Sequence, residues 1–233
     1  MSDKKYSFLI NEASYKKEAY YAFSSKFEGR GAFESFYQSL PSDFYKDQFL
    51  RVSNLYLFMV KTGDWHLKDT GYNKNIEYFS NSYKAITIFS LIESLSDEEY
   101  VGFHGWLREQ GEIFPIQDMD ELNILHEKYK KSFGSIRRCV SFFENLPSNI
   151  KDNLCSSITI KGKSVQSIKK FAQILYDFRS KFVHQGDLIL MLDSSPIFDV
   201  YNKNLILSKF SIELLQDTFE EGVIAYFNNK ITQ

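Results

Sequence analysis

Leu175-Tyr-Asp-Phe-Arg-Ser-Lys-Phe-Val-His-Gln-Gly-Asp187 decides how the rest of the chain is read. It has the pattern of the last turns of a helix. Gly186 stands where a left-handed residue closes a helix, and His184 lies in the last turn, where a cation suits the helix dipole. On a wheel of about 100° per residue, Phe171, Leu175, Phe178 and Phe182 form one stripe facing a core. Tyr176, Arg179, Ser180, Val183 and His184 fall away from that stripe. One face therefore packs the interior, and the other offers an arginine, a hydroxyl and a histidine.

Those groups suit a phosphate ester. Arginine stays charged and can hold a phosphate or neutralise developing negative charge. Histidine can take or give a proton near neutrality. A spacing of five residues sets them roughly 140° apart on the helix, so they flank a groove. A second copy related by a two-fold axis would complete such a site.

Arg179 and His184, separated by four residues at a helix end, resemble the Arg-x4-6-His motif of the HEPN superfamily. The wider string is most similar to its ApeA-like branch, with a Tyr-x-x-Arg-Ser-x-x-x-His-Gly pattern. The resemblance covers about residues 75–227. Two positions depart from it: Ser180 stands where active toxins more often carry Asn, Asp or His, and Gln185 is inserted before the glycine. Glu93, inside an apolar run, fits a glutamate often found on the family's early core helix. The resemblance implies a homodimer through the motif helix. It also implies a metal-independent endoribonuclease that leaves 2′,3′-cyclic phosphate ends, in a toxin or anti-phage defence setting with an antitoxin or other defence partner. The alternative it implies is an inactive dimeric module that binds RNA, a nucleotide or a partner protein. Arg179, His184 and Ser180 are the expected catalytic residues. Tyr176, Lys181, Arg137 and Arg138 are the expected substrate contacts, and neither metal nor cofactor is expected.

Composition agrees with a folded chain. Of 233 residues, 43% are hydrophobic and 17% aromatic, ample for a core. A net charge of -2 means that any RNA contact must be local. Two cysteines and the absence of a leader pattern or a long apolar run point to a cytoplasmic protein without a membrane span.

Helical periodicity dominates, and the expected fold is all-α. A HEPN-like bundle would occupy residues 75–233, with a mostly helical elaboration in 1–74. Tyr6–Ile10 has a short strand-like pattern. Ser42 is the expected N-cap of a helix after Pro41. A helix from Ile76 to Leu95 would face Phe79, Tyr83, Ile86, Phe89 and Ile92 inward. Ser96-Asp-Glu-Glu99 has the form of a capping box. A single long helix from Asp120 to Leu146 would carry Leu122, Leu125, Tyr129, Phe133, Ile136, Val140 and Phe143, with Gly134 as a bend. Its Lys128, Lys130, Lys131, Arg137 and Arg138 make it the first place to expect phosphate contacts. Ile158–Lys163 and the stretch from Asp187 to Lys203 are expected as connectors, and the final helix as Asn204–Asn228. Asp64-Trp-His66 is too sparse for a metal site.

Overall fold

The computed structural model describes residues 6–64, 74–95, 101–112 and 116–232. Instead of a strand, Ser7–Asn11 forms a 3-10 turn that runs into α1, Glu12–Phe23. The Phe8 N–H donates to the Asp47 carboxylate at 2.7 Å, which pins the turn to a helix rather than to a strand. Gly29, at φ 146°, precedes α2, Arg30–Ser39. After Pro41 comes α3, Asp43–Tyr56, which continues as a π turn over Leu57–Lys61. Ser42 sits at the N-cap position, but its side chain makes no capping hydrogen bond.

Residues before and after 74 share one core. One hydrophobic cluster runs from Ala19 to Phe227. Phe49 meets Phe227 with ring centroids 5.2 Å apart, and Tyr56 meets Phe219 at 4.8 Å.

Lys74–Ser94 form α4. Phe79 and Tyr83 are turned outward, at 37% and 39% exposure, against the expected inward stripe. Ser80, Asn81 and Ser82 are buried instead. Backbone satisfaction explains this choice. Asn81 Nδ2 donates to the Leu192 carbonyl, and Ser82 Oγ accepts from the Ile189 N–H at 2.8 Å. A chain segment lying on α4 needs those partners more than it needs two rings.

The expected long helix is two: α6, Met119–Phe133, and α7, Ser135–Glu144. (α5 is the short Phe103–Glu109.) Gly134 has an extended ψ of 128°, and a Cβ there would lie 2.4 Å from the Lys130 carbonyl oxygen. Only glycine permits this break. The apolar stripe consequently serves two cores. Leu125 packs with Trp106 and Leu107, while Phe143 belongs to the main cluster. The Ser96–Glu99 capping pattern and Trp65 and His66 lie outside the described residues.

Beyond α8, Ser148–Ser157, the expected connectors are strands. β1 (Ile158–Ile160) and β2 (Lys163–Ser164) form a hairpin, and β3 (Ile197–Tyr201) and β4 (Asn204–Ser208) form another. They join in the order β2-β1-β4-β3, all antiparallel. Asn202 and Lys203 both have positive φ, the turn that a two-residue hairpin requires. The last helix, α10, therefore starts at Ile212, not Asn204, and Ser211 caps it by accepting from the Leu214 N–H. The fold is thus mostly helical with one small sheet. Among the described residues, no helix is long and apolar enough to cross a membrane.

Candidate functional site

The motif lies on α9, Ile168–Gln185. Ser167 caps its start by accepting from the Lys170 N–H. Gly186, at φ 78°, closes its end and donates its N–H to the Phe182 carbonyl. Phe171, Ala172, Ile174, Leu175 and Phe178 are buried on the inner face. That packing fixes the rotation of α9 and therefore where each polar side chain points.

Arg179 points inward along the flank. Its side chain is 16% exposed, and Nη2 lies 3.6 Å from Glu93 Oε1 on α4. The contact is electrostatic only: among the described residues, neither Arg179 Nε nor Glu93 Oε1 has a hydrogen-bond partner. The guanidinium also lies 5.5 Å from the centroid of the Tyr176 ring. Burial raises the Glu93 carboxyl pKa above its ordinary value, against the pull of Arg179 and Arg138. Burial likewise pushes the Cys139 thiol up, with the Glu93 charge adding to it. Arg138, one of the expected phosphate contacts, donates instead to the Glu93 backbone carbonyl at 2.9 Å. It thereby holds the C-terminal end of α4 to α7. Arg137 is exposed on α7.

His184 lies on the other side of α9. It lines an open pocket of about 290 Å³ with Ser180, Lys181, Asp177, Gln185, Tyr201 and Asn202. The last two come from the β3–β4 hairpin. The Tyr201 hydroxyl donates to Asp177 Oδ2 at 2.6 Å. Burial first, and the Asp177 bond second, push the Tyr201 pKa up to about 12. A larger cleft of about 500 Å³ adjoins it through Lys181, lined by Phe178, Gly186, Asp187, Leu188 and Asp199 among others.

A third group of residues forms an apolar rim. Tyr83 and Phe182 rings meet edge-on at 5.4 Å, Phe79 and Tyr83 are tilted against each other at 4.7 Å, and Val183, next to Phe182 on α9, is 45% exposed.

Of the expected residues, Ser180, Lys181 and His184 are brought together. Arg179 and Tyr176 stand beside each other but do not line the His184 pocket, and neither do Arg137 and Arg138. Asp177, Tyr201 and Asn202 went unrecognised in the sequence. Asn202-Lys203, set between two short apolar runs, is the signal that could have found the hairpin. Among the described residues, no group of three or more His, Cys, Asp or Glu side chains could hold a metal ion. Compared with family models, curated proteins and solved structures, the chain matches none.

Proposed function

We propose that this chain is a HEPN-type, metal-independent endoribonuclease working as a homodimer in the cytoplasm, in a toxin or anti-phage role. The observation that carries the proposal is the pocket in which His184, Ser180 and Lys181 meet at the closed end of α9. His184 accepts the proton of an RNA 2′-hydroxyl, whose oxygen then bonds to the adjacent phosphorus. The bond to the 5′-oxygen breaks, and that oxygen takes a proton from His184 of the second copy. The products are a 2′,3′-cyclic phosphate and a free 5′-hydroxyl. Lys181 offers positive charge to the phosphate, and Ser180 offers a hydrogen bond. Arg179 has a donor, Nε, still free to engage a phosphate oxygen, and reaching it means swinging away from Glu93. The rim of Phe79, Tyr83 and Val183 supports the dimer, since exposed apolar patches favour association.

A second reading has one observation in its favour. The Arg179 guanidinium faces Glu93 rather than the His184 pocket, as it would in a dimeric module that binds RNA, a nucleotide or a partner protein without cutting. Cleavage of a labelled RNA pool in excess chelator separates the two. The nuclease reading expects wild-type cleavage with cyclic phosphate ends, and a loss of at least ~100-fold in His184→Ala. Equal cleavage by both proteins removes His184 from the mechanism. No cleavage by a confirmed dimer favours the binding module.

A further inference from the structure

We propose that the pocket between the last turns of α9 and the β3–β4 turn receives the nucleobase next to the cleaved phosphodiester, with Asp177 selecting bases that carry an exocyclic amino group. The inference rests on the RNA reading above and gives it a specificity element.

Three features of the pocket carry it. First, position: Asp177, Ser180, Lys181 and His184 share one face of α9, and the imidazole lies seven positions on from the carboxylate. That is a rise of roughly 10 Å along the helix, a span that one splayed-out nucleotide covers from phosphate to base edge. Second, orientation: the Tyr201 hydroxyl donates to Asp177 Oδ2 at 2.6 Å and fixes the carboxylate. Tyr201 is 5% exposed and belongs to the main core, so this support is rigid. Third, free capacity: among the described residues only Asp177 Oδ2 takes a hydrogen bond, from Tyr201, which leaves Oδ1 to accept, and the exposed Gln185 amide lines the same pocket.

An ionised carboxylate only accepts hydrogen bonds. Cytosine, adenine and guanine can each turn an amino group toward Oδ1. Uracil shows a carbonyl on both sides of its only N–H, and those lone pairs would face the carboxylate. Bases in single-stranded RNA are read on such edges. The pocket volume, at the small end for ligand sites, suits one base rather than a stack.

The test uses the full chain in chelator, with cut sites mapped on a mixed-sequence RNA. Binding of fluorescent hexamers of A, C and U is measured in parallel. Wild type should disfavour uridine by ~10-fold in one or both readouts. Asp177→Asn keeps an oxygen for Tyr201 and presents an amide donor in place of the acceptor, so the preference should move toward uridine. Asn202→Gly, which suits the positive φ of that turn and removes the Asn202 side-chain bond to the Tyr201 hydroxyl, should weaken discrimination without reversing it. Cleavage with no base preference, or with a preference that neither variant shifts, overturns the inference and leaves the nuclease reading standing; binding alone with no preference overturns both. Discrimination in binding without cleavage keeps the inference and sinks the nuclease reading. Neither cleavage nor RNA binding sinks both.

Discussion

Two glutamates lie in this bundle in opposite circumstances. Glu220 on α10 is 6% exposed and well satisfied. It accepts from Tyr56 at 2.7 Å, Lys61 at 2.9 Å and Ser25 at 2.8 Å, all from the N-terminal helices and turns. Glu93 on α4 is also withdrawn from water, at 21% exposure, yet its carboxylate faces Arg179 at 3.6 Å and Oε1 has no hydrogen-bond partner among the described residues. A buried carboxylate with three donors locks elements together, and one without them stores unfavourable energy that a ligand or a movement can release. Glu220 therefore reads as a structural knot that fastens residues 25–61 to the last helix. Glu93 and Arg179 read as a pair held in waiting.

The widest separation between the two should come from alanine at each position. Glu220→Ala leaves a buried tyrosine hydroxyl without its acceptor and Lys61 with only the Ala22 carbonyl, and should cost about 3 kcal/mol. Glu93→Ala removes a carboxylate that makes no hydrogen bond among the described residues, and should cost no more than about 1 kcal/mol. Urea unfolding of both variants against wild type checks this. Equal losses would erase the distinction between knot and waiting pair.

Packing around Glu220 sharpens the same contrast. Gly222 lies two residues on, and a Cβ there would come 2.1 Å from Cζ of Phe142, whose ring is itself buried on α7. Gly222→Ala gains about 1 kcal/mol in helix propensity and loses about 2 kcal/mol to overpacking. A net loss near 1 kcal/mol should follow, and Phe142→Leu in the same chain should recover part of it. A stabilised Gly222→Ala would show that α7 and α10 have room to spare, and that the knot is looser than its hydrogen bonds imply.

Little of this contrast was legible in the sequence. The C-terminal end of α9 was, because a stripe and a closing glycine are local signals: Phe171 to Phe178, and Gly186. The mostly helical character followed for the same reason, but not the four-stranded sheet. The Glu220 knot was not, since Tyr56 lies 164 positions away and an acid inside an apolar run has no local signature. The β3–β4 hairpin was missed because Leu205-Ile-Leu207 reads as easily as the start of a helix. The pairing that makes it a strand is partly with Ile158–Ile160, far back in the chain. Phe79 and Tyr83 keep helical spacing with Ile86, Phe89 and Ile92, which sets them on the expected inward stripe. What decided the matter was the need of the Ile189 N–H and the Leu192 carbonyl for partners.

The smallest effect tests the waiting pair itself, through pH. The Glu93 carboxyl has a folded pKa above its ordinary value of 4.5, because burial penalises its charged form more than Arg179 and Arg138 favour it. Between the ordinary and the raised value the folded state holds more protons than the unfolded one. Stability must therefore fall as pH rises through that window, and the loss is complete above the folded pKa. Glu93→Gln cannot ionise, so its unfolding free energy should lack this fall. The difference between variant and wild type isolates Glu93 from every other titrating group, including Asp193. That carboxyl runs the other way: burial raises its pKa, but the bonds from Lys74 and the Ser195 N–H outweigh burial and lower it. Its contribution is present above the ordinary carboxylate range and lost as pH falls below it. If wild type and Glu93→Gln track each other across the weakly acid range, Arg179 already compensates the carboxylate fully. The pair would then be a second structural knot, with no free donor to offer a phosphate.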